Sequence, residues 1–172
     1  MSAISERGRT VHATARAVVA ALIMLVASPG LADQGKTGPF ATFIGSWSGT
    51  GSVTFANGLR ERLRCRVSYK FDRSKEMLQQ DMRCASDSYK FDLKAEAREE
   101  AGTVSGRWTE VTRSASGLLR GRVADGRIKA SVRHPGFTAE LILATRGDRQ
   151  SITIRSGGNE PVTVSITLSR AQ

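Results

Sequence analysis

The stretch L-R-E-R-L-R-C-R-V-S-Y-K-F-D-R-S-K-E-M-L-Q-Q-D-M-R-C-A-S, residues 59–86, decides the fold. In its first half Leu59, Leu63, Cys65, Val67, Tyr69 and Phe71 share one parity, and Arg60, Arg62, Arg64, Arg66, Ser68 and Lys70 share the other. Strand side chains alternate between two faces, so the pattern predicts a strand with one buried and one wet side. The polar run 72–76 reads as a turn, after which Leu78, Met82 and Cys84 resume the period. Folding the halves about Ser74 and Lys75 sets Phe71 opposite Leu78, Val67 opposite Met82 and Cys65 opposite Cys84. That register aligns the apolar parity and the only two cysteines at once, and a slip of one residue loses both.

Upstream, Trp47, Gly49, Gly51, Val53 and Phe55 share a parity, and Asn57-Gly58 turns that strand into the next. Glycine on the inner side of a strand permits sharp bending. Downstream, Tyr89, Phe91, Leu93, Ala95 and Ala97 alternate with Lys90, Asp92, Lys94, Glu96 and Arg98. Val104, Gly106, Trp108, Glu110 and Thr112 form the next inner parity, and Ser114-Ala115-Ser116-Gly117 reads as a turn. Residues 118–124, 127–134, 137–145, 150–156 and 162–170 read as five more strands, separated by Asp125-Gly126, Pro135-Gly136, Gly147-Asp148 and Gly157-Gly158-Asn159. Roughly ten short strands with short connections predict an all-β, antiparallel up-and-down meander. Such a meander, with one apolar face, closes into a barrel and so removes its edges. A transmembrane barrel needs apolar residues outside, where this one has Arg60, Arg62, Arg64 and Arg66.

Residues 1–32 read as a signal peptide. Arg7, Arg9 and Arg16 accompany the apolar run 17–27, which is too short to span a bilayer, and Gly30 and Ala32 stand where a signal peptidase reads, placing cleavage before Asp33. An uncleaved anchor is the alternative. No cysteine follows the run to take a lipid, and Arg7 and Arg9 are not adjacent as in a twin-arginine signal. Residues 33–44 form a polar arm and a short apolar segment, 40–44, expected as one helical turn that plugs the domain; residues 45–172 form the barrel. A periplasmic or secreted destination suits two cysteines that form a bridge, with two buried free thiols as the alternative. The chain has 26 Lys and Arg against 16 Asp and Glu, a net charge of +10. The leader holds three of the basic residues and one of the acidic ones, so the exported part keeps +8.

Gly45-Ser46-Trp47-Ser48-Gly49-Thr50-Gly51 resembles the opening of calycin-type barrels. Lipocalins begin their first strand with G-x-W after a short helical turn, and nitrobindin-like barrels begin with G-x-W-x-G-x-G, matched here by Gly45, Trp47, Gly49 and Gly51. The exported part also resembles exported proteins of alphaproteobacteria. The calycin resemblance implies a roughly ten-stranded barrel closed at one end, with Trp47 across the base and Arg170 over it as a cation–π partner. The lipocalin T-D-Y segment is absent. The haem-binding histidine that nitrobindin-like barrels carry near the C-terminus has no counterpart after His134, so haem is not carried over.

Catalytic chemistry has little to work with. Outside the leader there is one histidine, His134, beside Pro135-Gly136, too few for a Ser-His-Asp triad or a zinc site. No phosphate-binding Gly-Lys-Ser/Thr loop occurs. The expectation is no catalytic residue, no metal and no cofactor. Glu61 and Glu110 fall on the inner parity; in a cavity either orients a ligand's polar group or one acts as an acid, whereas at the rim both are merely paired. Tyr69, Met82, Tyr89, Phe91, Trp108 and Leu141 share the inner face, as ligand lining or as plain core. The row Arg60, Arg62, Arg64, Arg66 meets an anionic envelope surface, or is a solvated face that deters aggregation. Nucleic acid is not expected without basic and aromatic residues interleaved on one face. Two functions follow: a non-enzymatic carrier holding a small, largely apolar molecule or lipid, or a filled barrel acting through its basic outer face as an envelope adaptor, inhibitor or anionic-lipid binder. An enzyme built on Glu110 is a third.

Overall fold

Ten strands form where the alternation predicts them: β1 (Gly45–Thr54), β2 (Arg60–Asp72), β3 (Met77–Ala85), β4 (Lys90–Glu100), β5 (Thr103–Glu110), β6 (Ala115–Ala124), β7 (Arg127–His134), β8 (Phe137–Arg146), β9 (Arg149–Ser156) and β10 (Thr163–Arg170). The computed structural model describes residues 37–158 and 161–171. The stretch read as a signal peptide, the expected cleavage site and the arm through residue 36 lie outside them. Each strand pairs antiparallel with its neighbours in sequence, and β10 returns to β1 to close the barrel.

The β2–β3 register is the one the alternation demands: Phe71 faces Leu78, Val67 faces Met82 and Cys65 faces Cys84. The two cysteines form a disulfide, their Cα atoms 4.1 Å apart. Both are buried on the inner face, so the bridge staples two strands from inside the wall. A bridge closing a loop of this length contributes about 3 kcal/mol by restricting the unfolded chain. The β4–β5 and β6–β7 connections are tight hairpins with both central residues at positive φ, Ala101-Gly102 and Asp125-Gly126, the geometry whose twist matches paired strands.

One end is plugged. A single 3-10 turn, Gly38–Phe40, leads into β1 and buries Phe40 and Phe43 completely. Phe40 packs against Phe71 and Phe43 against Tyr69, each pair with ring centroids 6.4 Å apart. The Trp47 indole N–H donates to the Phe43 carbonyl at 2.8 Å, and the Arg170 guanidinium lies 4.2 Å from the Trp47 ring centroid. Arg170 also donates to the carbonyls of Ile44 (2.7 Å) and Thr42 (3.2 Å). The first and last strands are thereby locked to the turn that closes the base.

Two local expectations are corrected. Ser114-Ala115-Ser116-Gly117 is not the β5–β6 turn; β5 ends at Glu110, the turn is 111–114, and β6 begins at Ala115. Thr112 is thus in the turn and not on the inner face. The cause is Glu110, whose carboxylate accepts the backbone N–H groups of Thr112 and Arg113 and closes the turn early. Leu59 is not core: it precedes β2 and is 54% exposed, its N–H taken by the Asn57 side chain of the hairpin turn.

Candidate functional site

Away from the plug the barrel is hollow. A cavity of about 650 Å³ runs from a floor that includes Tyr69, Leu143 and Ile152 to a mouth bordered by the turns after β7 and β9. Ala95 and Ala115 stand at inward positions and line it, where larger side chains would fill the space.

Seven of the eight candidate residues are brought together here: Tyr69, Met82, Tyr89, Phe91, Trp108, Glu110 and Leu141 all line the cavity. Tyr69 and Met82 are buried at depth, and Tyr89, Phe91 and Leu141 are half-buried. Trp108 packs on Phe137 (5.9 Å) and His134 (6.2 Å). At the floor the Tyr69 hydroxyl donates to Gln150 at 3.1 Å, and the Gln150 amide donates to Thr145 at 2.9 Å. Burial of the phenol raises its pKa far above the ordinary tyrosine value.

Glu61 is not part of the lining. Its carboxylate accepts hydrogen bonds from the hydroxyls of Ser86 and Ser88, the latter at 2.7 Å, and these hold its pKa below the usual carboxylate value. It anchors the β3–β4 turn, outside the cavity. The inner parity was right but the position is the rim, where a strand's first residues leave the interior.

Glu110 lines the cavity, yet its charge is already satisfied. Its oxygens accept the backbone N–H groups of Asp92 (3.0 Å), Thr112 (3.2 Å) and Arg113 (2.8 Å) and the Thr112 hydroxyl, and the Arg113 guanidinium stands 3.5 Å away. Burial works to raise its pKa, but the Thr112 hydroxyl and the three backbone donors outweigh it and hold the group below its ordinary 4.5. A carboxylate held ionised by four donors is a poor general acid. Glu110→Ala is expected to cost about 2–3 kcal/mol by stranding those N–H groups. The stabilisation is complete above the ordinary carboxylate pKa and is lost as pH falls through the lowered folded value. Urea unfolding of the wild type should therefore weaken more steeply below pH 4.5 than that of the alanine variant.

Sequence reasoning missed two polar residues. Arg113, in the β5–β6 turn, lines the mouth and places its guanidinium 4.3 Å from the Tyr89 ring centroid. Gln80 lies on the inward parity of β3 between Leu78 and Met82 and also lines the cavity; one polar residue interrupting an apolar parity was the available signal.

No protein-family model matches the chain, and no curated protein matches it. Among solved structures, the chain is similar to Rv2717c from M. tuberculosis, with a TM-score of 0.64 and 14% identity over 77% of this chain and 95% of that one. It is also similar to the S-type phycobiliprotein lyase CPES from Guillardia theta, with a TM-score of 0.56 and 13% identity over 77% of this chain and 90% of that one. The fold is that of the calycin-like barrels.

The single histidine outside residues 1–36 ends β7. His134 accepts the Gly136 N–H at Nδ1 (3.1 Å), and it stacks on Phe137 at 5.0 Å. Among the described residues no group of three or more His, Cys, Asp or Glu converges as metal ligands do. Arg60, Arg62, Arg64 and Arg66 point outward from β2 and are exposed, away from the cavity.

Proposed function

We propose that the protein is an exported, non-enzymatic carrier that holds one small, largely apolar molecule or lipid in its barrel. The cavity of about 650 Å³ carries this reading. Small-molecule sites are concave spaces of roughly 300–1,000 Å³, mostly apolar, with a few polar groups that fix orientation. Here Gln80 is the lining polar group left free to do that, and Arg113, engaged with Glu110 and the Lys90 carbonyl, adds a positive charge at the mouth. The saturated Glu110 speaks against acid catalysis, and the disulfide suits an oxidising compartment, periplasmic or secreted. A phycobiliprotein lyase uses the same fold. A filled barrel would leave no such volume, which favours the carrier over the outer-face reading.

The test is titration with cis-parinaric acid, a fluorescent polyene fatty acid, followed through quenching of Trp108. The wild type is expected to take up one equivalent saturably. Ala95→Trp, which places an indole in the cavity from the strand beside Trp108, is expected to bind at least tenfold more weakly while unfolding at a similar urea concentration. Equal uptake by both proteins, or none by the wild type, overturns the proposal.

A further inference from the structure

The outward face of four adjacent strands, β2–β1–β10–β9, is built from two kinds of side chain. The registers set its outward residues in four ranks. The end ranks read Arg60–Thr54–Thr163–Arg155 and Arg66–Ser48–Ser169–Arg149; the two between them begin with Arg62 and Arg64 and continue with three serines or threonines each. Sixteen positions thus hold six arginines and ten hydroxyls, with no carboxylate and no apolar side chain. Ranks lie about 7 Å apart along the strands and columns about 4.8 Å apart across them. The arginine column on β2 is therefore about 20 Å long, flanked by short side chains over which long guanidinium stems can reach.

The face carries no ion pair among the described residues, although Glu140 stands opposite Arg155 in the β8–β9 register. Among the described residues, none of the six arginines pairs with a carboxylate, and none of the ten hydroxyls bonds to another side chain. Acids begin only on the bordering strands, and they are engaged there: Asp81 with Arg83 (3.8 Å) and Glu140 with Lys129 (3.2 Å). Surface charges are normally interspersed with the opposite sign.

The geometry points to this face as a binding track for an acidic polysaccharide. Guanidinium forks match carboxylate, sulfate or phosphate groups in a way a lysine point charge does not. Serine and threonine hydroxyls both donate and accept, as sugar hydroxyls do, so the floor suits a polymer that carries hydroxyls between its charges. Three other partners fit less well. The face has no apolar or aromatic side chain to enter a lipid interface, no aromatic on which bases would stack, and none of the aromatic anchors that dominate protein interfaces. The track lies on the outside of the wall and does not depend on the cavity holding a ligand.

The test uses the full protein and fluorescein-labelled polygalacturonate, with dextran as the uncharged control and with single-stranded DNA and phosphatidylglycerol vesicles as competing polyanions. Expected is binding to polygalacturonate that weakens steeply between low and physiological salt, no binding to dextran, and weaker binding to DNA and vesicles. R62E/R64E should lose at least tenfold. R120E/R122E makes the same charge change on exposed β6 positions and should lose less than twofold. Thr50→Val with Thr167→Val should weaken polygalacturonate and leave DNA unchanged. Equal losses in the two charge variants would reduce the effect to net charge and overturn the track. DNA or vesicles binding as tightly as polygalacturonate would overturn the choice of partner.

Discussion

Replacing Trp47 by alanine is expected to cost about 3–5 kcal/mol, enough to lower the urea midpoint by about 2 M at an ordinary dependence on denaturant. The residue is 1% exposed and is among the largest fully buried side chains. Three contacts end with it: packing on the plug, the hydrogen bond to the Phe43 carbonyl and the seat of the Arg170 guanidinium. The Phe43 carbonyl is left without its donor, and an unpaired buried acceptor costs more than a hydrogen bond gains. Trp47→Phe separates the parts, because it keeps most of the packing and still loses the indole N–H; it should fall about midway. An Arg170→Leu change should cost less than either, since Arg170 is exposed and its cation–π contact is screened. Equal midpoints for wild type and Trp47→Ala would mean that the base does not close the barrel.

Gly106→Ala is expected to cost as much, about 4 kcal/mol or more, which is exceptional for adding one methyl group. A Cβ at Gly106 would stand 2.0 Å from the Glu96 carbonyl oxygen and 2.9 Å from the Ala97 Cα on β4. Both are backbone atoms, so the methyl cannot be accommodated by turning a side chain and β4 must move. Gly58→Ala is the contrast. Its φ is +82° and nothing lies within 4 Å of the new Cβ, so only the strain of a left-handed residue remains, about 1 kcal/mol. Thermal unfolding of the two variants should order them clearly. Near-equal losses would mean that the backbones of β4 and β5 do not approach this closely at Gly106.

The strand order was legible because nearly every connection is short and nearly every strand has one apolar parity. The β2–β3 register was legible for a stronger reason: two independent patterns, the apolar residues and the cysteines, select the same pairing. Arg170 over Trp47 came from the resemblance and not from periodicity, which places Arg170 only at a strand end. The β5–β6 turn was misplaced because Ser114-Ala115-Ser116-Gly117 has turn-like composition, while the true determinant is the side chain of Glu110 reaching forward to two N–H groups. Parity put both glutamates inward, and it cannot distinguish a carboxylate that faces a cavity from one that caps a turn at its edge. Whether the barrel is hollow also lay beyond the alternation, since inner volume depends on where small residues stack across ten strands.

Native mass spectrometry of the protein, purified gently from cells that express it, tests the carrier claim most directly. One additional drug-sized, non-covalent mass per chain is expected, released on denaturation and missing from Ala95→Trp prepared in the same way. A wild type that flies at its bare mass, or a bound mass that Ala95→Trp retains, would contradict it.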